Sequence, residues 1–151
     1  MRVSFIYIVI AVKGFIFPVD DFGKIASAVG PIQIEVIDLA NEQDVENFYR
    51  LHYQVAKVKV TKSPVLIFHA QFKGGLSGGK ASTNYGVATI ATVIGAYIRN
   101  LQVALHEWGH LRRMRHVSAD QGCYIMNPQP CGLEFDAVNI KRAQKLRGRR
   151  G

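Results

Sequence analysis

Cysteine is scarce in this 151-residue chain, with Cys123 and Cys131 the whole supply. Two cysteines make no disulfide framework and give no sign of an oxidising compartment; one bridge across their short loop and two free thiols both fit. Long apolar runs are missing as well. Residues 3–12 form the main one and are too few to span a bilayer. They follow Met1-Arg2 as the front of a signal peptide would, yet Lys13-Gly14-Phe15-Ile16-Phe17-Pro18 offers no small-x-small cleavage site. Their β-branched and aromatic content predicts a buried first strand instead, and with it a cytoplasmic protein that engages no membrane. Repeats, low-complexity stretches and linkers are also lacking, which leaves one domain.

Acidic residues are missing from one place in particular. Residues 141–151 carry six Lys and Arg and no Asp or Glu; the remainder holds 13 basic residues against 11 acidic. The net charge of +8 therefore falls to +2 without that segment. A near-neutral domain over residues 1–140 and a basic C-terminal tail over 141–151 are expected. Such a tail can draw in nucleic acid, an anionic surface or an acidic protein, or simply keep the chain soluble.

What is present alternates between strand and helix patterns. After the first strand, Pro18 and Asp20-Asp21 start a helix in which Phe22, Ile25, Ala26 and Val29 recur until Gly30-Pro31 stops it. Ile32, Ile34, Val36 and Ile37 make a second strand, and a helix over about 42–58 follows. Ser63-Pro64 introduces a third strand from Val65 towards Phe72. A glycine-rich loop, Gly74-Gly75-Leu76-Ser77-Gly78-Gly79-Lys80, leads to two short strands over 81–91 with a break near Tyr85-Gly86. A helix is predicted over about 94–114, interrupted near Arg99-Asn100, then an irregular stretch over 117–133 and a last helix over about 133–146. This order predicts an α/β fold: a twisted, mixed sheet backed by helices.

The chemistry concentrates in His106-Glu107-Trp108-Gly109-His110. Histidines four apart on a helix project from one face, one turn apart, and two such imidazoles can share a Zn²⁺ ion. Glu107 sits beside the first, where its carboxylate can act as general base on a water without binding the metal. With five His and five Glu in the chain, chance places the H-E-x-x-H pattern roughly 0.005 times. His116 follows six residues later. A continuing helix would carry it out of reach, so it can complete a three-histidine site only if the chain turns back just after the helix. Three protein ligands and one open position are what catalytic zinc requires.

Here the sequence resembles the metzincin clan of zinc peptidases, and among them the archaemetzincins, over nearly its whole length. Tyr49-Arg50-Leu51-His52-Tyr53-Gln54, Tyr85-Gly86-Val87-Ala88-Thr89, the opening strand and the final helix look like elements of that family. The resemblance implies a minimal metzincin-like domain with His106, His110 and His116 as ligands and Glu107 as catalytic base. It also matches Met126 to the methionine turn beneath the metal. Two departures stand out. Arg113 occupies the position where the clan signature has glycine, useful there because a left-handed residue costs other side chains about 1–2 kcal/mol. The family's second, structural zinc is held by four cysteines. Here Val117 stands at the first of these, Cys123 matches the second, Cys131 is out of place, and no C-x-x-C follows. One catalytic zinc without a structural one is therefore expected.

Several features compete with this assignment. Gly74-x4-Gly79-Lys80 nearly spells a phosphate-binding loop, but Ala81 stands where Ser or Thr is needed and a strand pattern follows. The loop is better placed as the lead into an edge strand bordering a peptide cleft, open to β-augmentation. Glu134 is a lesser candidate for third ligand, and His52 and His69 lack ligand spacing. Tyr124 is a candidate oxyanion stabiliser or a core residue; Arg112, Arg113 and Arg115 are candidates for attracting an acidic substrate or a solvated helix end. The sequence as a whole predicts a zinc-dependent peptidase acting on a peptide or protein. The rival is a non-enzymatic metal-containing binding protein whose basic tail engages nucleic acid or a protein partner.

Overall fold

The computed structural model describes residues 3–12, 15–38, 64–75, 77–82 and 86–149. The helix expected over 42–58 and the segments around His52 and Tyr85 lie outside the described residues.

Among the described residues, five strands form one sheet in the order β2-β1-β3-β5-β4. They are β1 (Ser4–Ile10), β2 (Ile32–Asp38), β3 (Val65–Phe72), β4 (Gly78–Ser82) and β5 (Val87–Val93). β1 runs parallel to both β2 and β3, with Ile8 opposite Val36 on one side and Leu66 on the other. β3 and β5 are parallel, and β4 alone runs antiparallel, at the edge beside β5. The α/β architecture with a mixed sheet is thus as the alternation of patterns predicted. The first apolar run is an interior strand, where β-branched side chains are at home on both faces.

Side chains alternate across the sheet. Ile6, Ile8, Ile10, Leu66, Phe68, Ala88 and Ile90 point to the face carrying α1 (Val19–Ala26) and α2 (Tyr97–Leu111). Val9, Val65, Ile67 and Val87 make a smaller cluster on the other. Trp108 of α2 is buried in the larger core, its ring edge-on to Phe22 of α1 at 6.0 Å and 5.7 Å from Phe135. The residue in the middle of the motif thereby anchors α2 against α1 and the segment before the last helix.

Three boundaries differ from expectation. β4 begins inside the glycine-rich run, at Gly78. α2 starts at Tyr97, after a turn at Ile94-Gly95, and is continuous through Arg99-Asn100. Asn100 breaks nothing: its side chain accepts from the Val93 backbone N–H (3.0 Å) and donates to the Val93 carbonyl (2.8 Å), tying α2 to the end of β5. The last helix, α3 (Ala137–Arg149), starts four residues late because Asp136 caps it, its carboxylate accepting from the Asn139 N–H at 3.1 Å. α3 runs on through the basic residues from Lys141 and buries Ala143. Among the described residues, no helix is long and apolar enough to cross a membrane.

Candidate metal centre

α2 delivers the first half of the site. His106 and Glu107 are buried and His110 is half-buried on its last two turns. The helix then stops abruptly. Arg113 takes φ 67°, its N–H donating to the His110 carbonyl and the next N–H, of Met114, reaching back to Gly109. That is a Schellman end with a left-handed residue where glycine is usual. Arginine adopts the strained conformation, and the turn that brings His116 back is made.

The second half is a loop held from both sides. Asn139 of α3 accepts from the Arg115 N–H and donates to the Arg115 carbonyl, both at 2.9 Å. Asn127 donates to the Val117 carbonyl at 2.9 Å, and the Val117 N–H donates to Met126. His116, between these two fixed residues, faces the helix histidines. Asn127 and Asn139 are both buried, and sequence reasoning missed their part; a buried Asn facing backbone is invisible without its partners.

The three Nε2 atoms form a near-equilateral triangle, with sides of 3.2 Å from His110 to each of the others and 3.3 Å between His106 and His116. These contacts are not mutual hydrogen bonds. His106 Nδ1 lies 2.7 Å from the Ile125 carbonyl and His110 Nδ1 lies 3.2 Å from the Met114 carbonyl. A carbonyl can only accept, so both protons sit on Nδ1 and both Nε2 lone pairs face inward. Lone pairs so close repel unless a cation lies between them. Three nitrogens at about 2.0–2.1 Å from a tetrahedral Zn²⁺ would stand about 3.3–3.4 Å apart. The donor set and its spacing fit zinc.

Burial keeps the helix histidines neutral. Desolvation, with the nearby His110, His116 and Arg99 as smaller causes, lowers His106 from 6.5 to about 4 against the opposing Ile125 hydrogen bond. It also lowers His110. Both are therefore neutral, ligand-competent imidazoles at neutral pH. Desolvation raises Glu107 to about 7, where a carboxylate is a capable proton acceptor.

Two glycines make the close packing possible. A Cβ on Gly79 would lie 2.7 Å from Glu107 Cγ, so the glycine lets edge strand β4 come down onto the Glu107 carboxylate. This accounts for the glycine of the phosphate-loop look-alike; a strand, not a helix, follows it. A Cβ on Gly109 would lie 2.6 Å from Met126 Sδ. Met126 is fully buried directly beneath the motif helix, where the methionine turn was expected.

A cleft of about 590 Å³ opens over the histidines. α2 forms its floor through Arg99, Val103, His106, Glu107 and His110; β4 forms one wall and Pro128-Gln129-Pro130 the other. A disulfide between Cys123 and Cys131 closes the second wall's loop. Tyr124 does not line this cleft: its ring lies against Gly122, where a Cβ would meet it at 2.9 Å, so the structure does not bring the candidate oxyanion stabiliser to the metal side. Glu134 is exposed outside the cleft, and His69 is exposed on β3. Arg112 is buried with a terminal nitrogen donating to the Ala143 carbonyl, and Arg113 and Arg115 are exposed outside the cleft. The arginine in the cleft is Arg99.

No family model matches the chain, and no curated protein matches it either. The functional argument therefore rests on the site itself.

Proposed function

We propose that this chain is a single-domain zinc metallopeptidase of the metzincin type, similar to the archaemetzincins, with His106, His110 and His116 as ligands and Glu107 as general base. The observation that carries this is the inward-facing Nε2 triangle with a buried carboxylate beside it in one open cleft.

A zinc ion held by the triangle would supply Lewis acidity, polarising a substrate carbonyl and acidifying a water. The protein's residues supply the rest. Among the described residues β4 is paired on one side only, which leaves an edge along which an extended peptide can align by main-chain hydrogen bonds. Glu107, close under Gly79, takes the proton from the attacking water and delivers it to the departing amine. Its burial matters because a carboxylate at its ordinary pKa would be a weaker base at neutral pH. The backbone carbonyls of Ile125 and Met114 hold the His106 and His110 rings in the tautomer that keeps Nε2 free.

The test has two parts. Elemental analysis of protein purified without added metal or chelator is expected to give one zinc per chain. Glu107→Ala is expected to keep that zinc while hydrolysis of a peptide library falls by about 10²–10⁴-fold. Undiminished hydrolysis, or no zinc uptake by wild type, overturns the proposal.

A further inference from the structure

Arg99 is the cation of the cleft, and the proposed peptidase reaction does not use it. It lies seven residues before His106 on the same continuous helix. Seven residues turn through 700°, which returns Arg99 to the motif face about 10.5 Å towards the helix N-terminus. Val103 fills the floor between them. The guanidinium is clamped from the opposite wall: Nη1 donates to the Pro130 carbonyl at 3.2 Å and Nη2 to Gln129 Oε1 at 3.1 Å. Nε is buried with no acceptor. No carboxylate among the described residues pairs with this cation, and Glu107 is the cleft's one acidic residue, two helical turns away.

Such a group is costly to hold for structure alone. Half-buried positive charge without a counter-ion is unfavourable, and the first turn of α2 adds the positive end of the helix dipole. Two neutral acceptors orient the guanidinium but leave its charge unbalanced. An anion in the cleft would balance it, and a planar guanidinium with unused N–H groups matches a carboxylate better than any other group a peptide carries.

We infer that Arg99 is a specificity-determining residue that binds a substrate carboxylate in the cleft, about three residues along the peptide from the metal centre. The spacing follows from an extended chain advancing about 3.3 Å per residue over the 10.5 Å between Arg99 and His106. The inference deepens the peptidase proposal by naming its substrate class: peptides with an acidic side chain at that distance, or with their own C-terminal carboxylate there. The second source would make the protein a trimmer of C-terminal ends.

Calorimetric titration separates these cases without relying on turnover. The probes are N-acetylated, C-amidated six-residue peptides of Ala and Ser with one Glu moved through the sequence, the matching Gln peptides, and a Gln peptide with a free C-terminal carboxylate. They are titrated into zinc-loaded Glu107→Gln protein and into chelator-treated wild type. Peptides with a carboxylate in the right place are expected to bind about tenfold more tightly than their neutral partners, the difference one charge-assisted contact makes. Arg99→Gln is expected to abolish this preference with zinc content unchanged, and Arg99→Lys, which keeps charge but not the planar fork, to retain part of it. Preference for internal Glu identifies side-chain recognition, and preference for the free C-terminus identifies end recognition. Equal binding of all peptides, no binding at millimolar concentration, or a preference that survives Arg99→Gln overturns the inference. Carboxylate preference in the chelated protein with no hydrolysis of any peptide would leave Arg99's role standing and the peptidase proposal fallen; hydrolysis without that preference would do the reverse.

Discussion

The two halves of the histidine triangle are built by opposite means. His106 and His110 ride on α2, where the backbone's own hydrogen bonds fix their spacing and burial in the sheet fixes their face. His116 rides on a loop whose backbone would wander without help. Its position is set by side chains from elsewhere in the chain, Asn139 of α3 and Asn127 of the methionine-bearing loop. The helical half is specified locally and stabilised by packing. The loop half is specified by a few part-buried hydrogen bonds, each between residues far apart in sequence. The cost of disturbing the two halves therefore appears in different observables.

The largest expected effect strikes the helical half through packing. Gly109→Ala forces a methyl group against Met126 Sδ at 2.6 Å and Met114 Sδ at 3.1 Å, inside a filled core. A loss of about 1–3 kcal/mol in urea unfolding is expected, lowering zinc affinity only secondarily. Asn139→Ala strikes the other half. It frees the Arg115 backbone, and zinc affinity measured by chelator competition is expected to fall about 10–100-fold while His106 and His110 stay in place. If Gly109→Ala left stability unchanged, or Asn139→Ala left affinity unchanged, the division between the halves would not hold.

The joint between them gives a smaller effect of opposite sign. Arg113 holds φ 67°, so Arg113→Gly is expected to stabilise the chain by about 1 kcal/mol through relief of strain, less whatever glycine adds to unfolded-state entropy. A loss of stability would mean that the arginine side chain contributes more than its backbone costs.

Protons sharpen the comparison further in chelator-treated protein. His106 is lowered to about 4 and His110 is lowered too, so the unfolded chain binds more protons than the folded one below 6.5; stability from these groups is lost as pH falls from 6.5 towards 4. Glu107 is raised to about 7, so its contribution is complete below 4.5 and is lost as pH rises through 7. Between 4.5 and 6.5 His106 and Glu107 oppose each other, and the lowering of His110 adds to the histidine side. The metal-free protein is thus expected to be most stable near pH 6.5 by urea unfolding, with a net loss on acidification. A steady gain in stability towards pH 5 would contradict the burial of the helix histidines.

The pattern of legibility follows the same line. The alternation of strand and helix patterns, the interior first strand and the face shared by His106 and His110 were all readable, because periodicity records which side of an element is buried. A turn back after His110 could be anticipated from the spacing to His116, and the resemblance to the metzincin signature pointed to position 113 for its left-handed residue. The helix boundaries at 97 and 137 were missed because Asn100 and Asp136 act through hydrogen bonds that composition does not reveal. Tyr124 was left between oxyanion stabiliser and core residue, because the direction of a side chain in an irregular loop has no periodicity to reveal it.

The sequence by itself determined the elements and the identity of the three histidines and the glutamate, since these depend on residue type and local spacing. The tertiary structure decided what surrounds them. It closed the nitrogen triangle, set edge strand β4 against Glu107 at Gly79, paired Cys123 with Cys131, and left Arg99 in the cleft without a carboxylate among the described residues. The physical reason is range. Helical and strand periodicities act over a few residues, whereas the ligand loop, the cleft walls and the environment of each ionisable group arise from contacts across tens of residues that only the folded chain brings together.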